Sequence, residues 1–161
     1  MATNDAVIRR ATKADLPALG RLGALLMRTH YDFDRARFMA PGDNAEEGYG
    51  WFLGTQLEEA DTAVFVAERG GEVLGYVWTG IEPLSWKELR DEAGFIHDIV
   101  VDEHGRRTGL AAALMAEAIA WLRARGAARA MLWTAEKNPG AQQLFARLGF
   151  RRTMIEMTME L

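Results

Sequence analysis

Two hydrophobic rhythms, one near 3.6 residues and one of two, take turns along the chain, and their order predicts a layered α/β architecture. AVIRRA reads as a short strand. Behind it Thr12 and Asp15 form the capping pair of a helix whose apolar stripe is Leu16, Leu19, Leu22 and Leu26, with Pro17 tolerated in its first turns. RTHYDFDRARFMAPGDN breaks that period, and NAEEGYGWFLGTQLEE resumes it in a form weakened by glycine. TAVFVAERGGEVLGYVWTGIE holds two β-rich runs around Gly70 and Gly71, the mark of a hairpin. PLSWKELRD then predicts a loop with a short helix, and FIHDIVV a further strand.

An alanine-rich helical pattern runs to Gly126, and ARAMLWTAE reads as the strand after it. NPGAQQLFARLGF predicts a helix with Pro139 near its start and Gly149 at its end, and RRTMIEMTMEL a closing strand. Helices between neighbouring strands make right-handed crossovers, so the second half requires some parallel pairing. The first half reads as antiparallel, and the sheet should therefore be mixed. With 161 residues, about half of them apolar, and no repeat or linker, one globular domain over residues 1–161 is expected.

Composition narrows the chemistry. The absence of cysteine excludes disulfides, thiolate zinc sites and cysteine nucleophiles. A formal charge of -4, with arginines scattered along the chain, argues against nucleic acid as a partner. No apolar run is long enough to span a bilayer, and MATNDAVIRRA lacks the hydrophobic stretch of a secretory signal, so a cytoplasmic protein with no membrane partner is expected. Methionine-rich and tryptophan-rich stretches are compatible with a homodimer.

The stretch VVDEHGRRTGLAAALM joins a strand to a helix through a turn holding two arginines, a threonine and a glycine. A helix start leaves backbone N–H groups without partners and carries partial positive charge, so it can hold a diphosphate. Gly109 and Ala111 are small enough to let phosphate reach the amides, and Arg106 and Arg107 add charge. The hexapeptide is equally compatible with a turn shaped by Gly105 and Gly109 whose arginines are simply solvated. The signatures of a triphosphate loop and of a dinucleotide fold are both missing.

IHDIVVDEHGRRTGLAAALM followed by TAEKNPGAQQLFARLGF resembles the acetyl-coenzyme A binding half of the GNAT N-acetyltransferase superfamily. The motif Arg/Gln-x-x-Gly-x-Gly/Ala is met by Arg106, Gly109 and Ala111. Asn138, Ala141, Leu144 and the run Leu148, Gly149, Phe150 match a second block at its usual spacing. Arg107 stands where many members have glycine. The match covers roughly the last 70 residues, while the first 90 or so fit by element order alone.

The resemblance implies a central mixed, mostly antiparallel sheet of about six or seven strands flanked by helices, with a parallel, splayed strand pair at the cofactor site. It implies acetyl-coenzyme A as cosubstrate, no metal, and direct transfer of the acetyl group to a primary amine of a small-molecule acceptor in a ternary complex. The residues it assigns to the cofactor are Ile99, Val100, Val101, Arg106, Arg107, Thr108, Gly109, Leu110, Ala111, Asn138 and Phe145. Two alternatives stay open: a coenzyme A binding sensor without turnover, and an enzyme acting on a protein or peptide amine.

An alkylammonium must lose a proton before attack, and His97 is the leading candidate for base or water relay. A hydrogen-bonded core histidine is an equal reading of the same residue. Strand alternation places His97 on the face of Phe95, Ile99 and Val101 unless a bulge intervenes, with Asp98 opposite. Asp98, Asp91 and Glu92 rank below it. Phe145 occupies the place where many relatives carry a tyrosine that serves the leaving thiolate, and Tyr31, Tyr49 or Tyr76 would substitute only if the fold brought one near. His30, Tyr31, Asp32, Asp34 and Glu156 are candidates to receive a cationic amine, although a solvated loop and an ordinary edge strand explain them as well.

Overall fold

A computed structural model describes residues 5–161. Among these, five strands, β1 (Val7–Arg10), β2 (Thr62–Arg69), β3 (Glu72–Glu82), β4 (Ala93–Val101) and β5 (Ala130–Leu132), form one sheet in sequence order. The first three junctions are antiparallel and β4–β5 is parallel. The helices are α1 (Leu16–Phe33), α2 (Ala45–Gln56), α3 (Leu110–Ala124) and α4 (Pro139–Arg147).

The sheet buries both faces, which is why its central strands read as nearly continuous apolar runs. On one face Phe65, Leu74, Val77 and Ile96 pack against Leu110, Leu114, Met115, Leu122 and Phe145 from α3 and α4. On the other, Val64, Val66, Tyr76 and Val100 pack against Leu19, Leu22 and Leu53 from α1 and α2. The glycines that weaken the α2 pattern are partly its docking surface. A Cβ on Gly20 would sit 2.3 Å from the Glu46 carbonyl oxygen, and one on Gly50 would sit 3.1 Å from that of Leu16.

The entry to α1 is a 3₁₀ turn at Lys13–Asp15. The Asp15 carboxylate accepts the Thr12 N–H at 2.7 Å and takes both Arg9 Nη donors at 2.8 and 2.9 Å. Arg9 also reaches Glu68 at 2.7 Å, so one guanidinium ties β1, β2 and the first helix together. The bonds from Arg9 hold the Asp15 carboxyl below its ordinary range.

Two expectations are corrected. PLSWKELRD forms no helix but a loop closed by reciprocal backbone bonds between Ser85 and Arg90, at 2.9 and 3.1 Å. RRTMIEMTMEL does not join the sheet, so the described residues hold five strands instead of six or seven. Its alternation is that of a strand, but among the described residues it pairs with neither edge of the sheet.

Candidate functional site

β4 and β5 pair only at Gly94–Ala130, Phe95–Met131 and Ile96–Leu132. Beyond Ile96 the two strands part, and among the described residues no strand covers that side of β4 along Ile99, Val100 and Val101. The chain then turns into α3. Buried Asp102 pins the start of this turn by accepting N–H bonds from His104 at 2.9 Å and Gly105 at 3.1 Å, with Arg21 3.3 Å away. Gly105 is required by space, since a Cβ there would lie 2.8 Å from Val101 Cγ1.

Arg107 and Gly109 both adopt left-handed backbone, φ 60° and 81°. The Thr108 hydroxyl braces the loop between them by donating to the Gly105 carbonyl. The first backbone bond of α3 runs from Ala113 N–H to the Gly109 carbonyl at 3.0 Å, so the amides of Leu110, Ala111 and Ala112 start the helix without partners inside it. The space beside Gly109 is open, and the exposed Arg106 and Arg107 guanidinium groups form no ion pair among the described residues. Small residues, free amides and unneutralised cations at one helix mouth make a cradle for linked phosphates.

His97 lies on the strand that leads to this cradle. Trp78 pairs with Asp98 but Thr79 pairs with Ile96, so His97 is the extra residue of a β-bulge. The bulge corrects the expected facing: Ile99 and Val101 pack with the α3 core, whereas His97 stacks on Trp78 at 4.3 Å and on Phe95 at 5.7 Å. Its Nε2 is 3.1 Å from Glu82 Oε1. Burial pushes the imidazole below its ordinary value of 6.5, and the Glu82 and Asp98 charges oppose that push without reversing it. A cleft of about 230 Å³ opens here, with Glu82, Arg90, Phe95, His97 and Trp133 in its wall. Arg90 is held over Phe95 and bonded to Glu88 at 2.6 Å, so its charge is partly spent.

Asp98 lies on the face opposite Ile99 and Val101, as expected, and is paired there. It faces α1 and α2, where Tyr49 and Tyr76 donate to its Oδ2 at 2.6 and 2.8 Å. Burial still raises the Asp98 carboxyl above its ordinary range, and burial beside that carboxylate raises both phenols. Each phenol spends its single proton on Asp98, which removes Tyr49 and Tyr76 as acids for a leaving group.

Other sequence candidates sit apart. Asn138 caps α4 by accepting the Ala141 N–H at 3.2 Å. Phe145 is buried in the core under α3 and meets Phe150 edge-on at 6.0 Å. His30 bonds the Leu26 carbonyl at 2.9 Å, Tyr31 lies against Arg35, Asp32 faces Arg35 at 3.9 Å, and Asp34 caps the N–H groups of Ala36 and Arg37. Glu156 is paired with Arg37, while Asp91 and Glu92 lie exposed at the entrance to β4. Glu82, Trp78 and Trp133 were not singled out in the sequence, although hairpin registration of β3 on β4 brings the end of β3 beside the bulge. A second hollow, of about 320 Å³, lies near Arg28 and Asn44, away from the β4 edge and the His97 cleft.

A mixed sheet whose parallel pair splays in front of a glycine-started helix defines a class of acyl-coenzyme A dependent transferase folds. The chain belongs to the acetyltransferase (GNAT) family, whose model matches residues 25–150. It is 34% identical over 130 residues to a mycothiol acetyltransferase of Cellulomonas flavigena, covering 77% of this chain and 34% of that protein. It is 29% identical over 143 residues to an uncharacterized N-acetyltransferase of Methanocaldococcus jannaschii, covering 89% and 59%. The chain thus spans about a third of the length of the mycothiol acetyltransferases it matches. Among solved structures, a single-site mutant of the BH1408 protein from Bacillus halodurans superposes with a TM-score of 0.84 at 20% identity, covering 96% and 99% of the two chains. The aminoglycoside N-acetyltransferase AAC(6')-Iy, solved with CoA, gives 0.73 at 20% identity, covering 97% and 94%. Among the described residues, no group of acidic or histidine side chains is arranged to hold a metal, and no helix is long and apolar enough to cross a membrane.

Proposed function

We propose that this chain moves the acetyl group of acetyl-coenzyme A to a primary amine of a small-molecule acceptor by direct attack in a ternary complex. The observation that carries the reading is the uncovered edge of β4, which runs from the His97 cleft to the free amides of α3. The residues fit the cosubstrate: Arg106, Arg107, Gly109, Leu110 and Ala111 suit its diphosphate, and the unpaired backbone of Ile99, Val100 and Val101 suits its pantetheine amides. Acetyl-coenzyme A supplies an activated thioester.

His97 takes a proton from the acceptor's ammonium, and the free amine attacks the thioester carbon, forming the C–N bond as the C–S bond breaks. Burial favours the neutral ring, and a ring that donates Nε2–H to Glu82 keeps Nδ1 as an acceptor. An N–H donor along the uncovered edge of β4 polarises the thioester carbonyl. Asn138 and Phe145 act through the placement of α4. With Phe145 unable to donate and Tyr49 and Tyr76 committed to Asp98, the thiolate leaves without a dedicated acid. A thiol pKa of about 8.5 makes that tolerable. The cleft of about 230 Å³, walled by Phe95, Trp133 and the Glu82 carboxylate, suits a small cationic acceptor. Relatives named for mycothiol and for aminoglycosides support the same class.

The lack of an acid also supports a second reading, a coenzyme A binding module without turnover. Calorimetry with coenzyme A, followed by thiol release against a panel of primary amines, separates the two. Acceptor-dependent release above hydrolysis establishes the enzyme, binding without it establishes the sensor, and no binding of coenzyme A defeats both.

A further inference from the structure

Residues 151–161 carry an unmet structural demand away from the cleft. From Ile155 onward apolar and polar positions alternate, with Ile155, Met157, Met159 and Leu161 on one face and Glu156, Thr158 and Glu160 on the other. That is the pattern of a half-buried strand. Yet Ile155, Met157 and Met159 are 76, 89 and 79% exposed, Leu161 is fully so, and the segment makes no backbone-to-backbone hydrogen bond among the described residues. A row of free donors and acceptors beside a continuous apolar face seeks a sheet edge.

The sheet has two open edges, β1 and β5, and their chemistry separates them. At β1, Arg9 is consumed by Asp15 and Glu68, and Arg10 lies over Phe65. At β5, Trp133 stands 77% exposed just past the strand, and Arg129 and Lys137 flank it with no ion pair among the described residues. An acidic strand with an apolar face complements the second edge. Within its own chain, however, the segment is led elsewhere. Arg152 lies 3.6 Å from Glu136, just beyond β5, and four residues later Glu156 is clamped by Arg37 in the loop between α1 and α2.

We propose that the occupant of the β5 edge is a second copy of this chain, each copy laying residues 153–161 along the β5 of the other as a sixth strand. Reciprocal exchange closes a two-fold dimer, satisfies both edges and covers both apolar faces. Trp133 lies in the wall of the His97 cleft, so the donated strand closes that wall from the neighbouring copy. The arrangement does not depend on the chemistry performed in the cleft.

Sedimentation equilibrium of the full chain at micromolar concentration is expected to give twice the 17.9 kDa chain mass. The double substitution Met157→Lys, Met159→Lys is expected to halve it. Both side chains are exposed within one chain, so circular dichroism should show an intact fold. Because the protein lacks cysteine, a Thr134→Cys chain mixed with an affinity-tagged Thr158→Cys chain can be bridged with a short bismaleimide, and a linked pair containing one of each is expected. A monomeric wild type, a dimer indifferent to the two lysines, or failure to recover the mixed pair would each overturn the exchange. None of these readouts uses coenzyme A or turnover.

Discussion

Removing one oxygen atom, by Tyr76→Phe, tests the buried cluster behind the cleft. Tyr76 is fully buried and donates to Asp98 Oδ2 at 2.8 Å, and Tyr49 donates to the same atom at 2.6 Å. The substitution keeps the ring and its packing, so the cavity contribution is small and the lost bond dominates. A hydrogen bond to an ionised acceptor contributes about 1.5–3 kcal/mol. At about 2–4 °C per kcal/mol for a chain of this size, Tm should fall by roughly 3–12 °C near neutral pH. The penalty should also depend on pH. Burial raises Asp98 above its ordinary value of 3.8, so the folded state holds that proton more tightly than the unfolded chain. Its contribution to stability is complete below the ordinary value and is lost as pH rises through the raised one. The phenol bonds favour the charged form, so deleting one raises the folded value further, and the penalty grows across that window. Urea denaturation of both proteins, followed by tryptophan fluorescence at about pH 4 and about pH 8, measures the difference. Equal penalties at the two pH values, or less than about 0.5 kcal/mol at the higher one, would refute an ionised Asp98 held by the two phenols.

Four further sites give separable outcomes. His97→Gln should lower kcat at neutral pH by about 10²–10⁴-fold with coenzyme A affinity unchanged by calorimetry, and an unaltered kcat would remove His97 as base. Glu82→Gln deletes the charge that raises the His97 value, so the acidic limb of kcat/KM should move to lower pH, and a shift the other way would contradict the pairing. Ala111→Glu sets a carboxylate among the free amides of α3 and should weaken coenzyme A binding by about tenfold or more, about 1.4 kcal/mol, with Tm preserved. Phe145→Tyr buries a hydroxyl in an apolar core at a cost of about 1–3 kcal/mol, read by urea denaturation, and should leave kcat no higher.

The parts legible in the sequence were those fixed by local pattern. The stripe on α1, the Gly70–Gly71 hairpin and the glycine at the start of α3 each encode their geometry within a few residues, and the structure has all three. The parts that were not legible depend on registration between strands. No local signal in FIHDIVV distinguishes a regular strand from one with an extra residue, because the bulge exists only relative to Trp78 and Thr79 on β3. Glu82 and Trp133 reach the cleft by the same kind of long-range placement. The 151–161 segment is the converse case: its alternation was readable, but among the described residues it pairs with neither open edge of the sheet.

That bulge links the cleft to the buried tyrosines. In a regular strand His97 and Asp98 would project to opposite layers, the histidine toward α3 and the carboxylate toward α1. One extra residue resets the alternation, so His97 joins Phe95 and Trp78 while Asp98, one position on, still meets Tyr49 and Tyr76. Burial then acts on both groups toward neutrality, lowering the imidazole and raising the carboxyl, because either charge would be poorly solvated there. Both phenols donate to Asp98 Oδ2, and the Asp98 charge joins that of Glu82 in opposing the downward push on the imidazole. Glu82, at the more exposed rim, remains the direct partner of the ring. The placement proposed for the base, an imidazole lowered by burial and paired with the Glu82 carboxylate, therefore follows from one residue of misregister between β3 and β4, with the ends of both strands left free to shape the cleft around it.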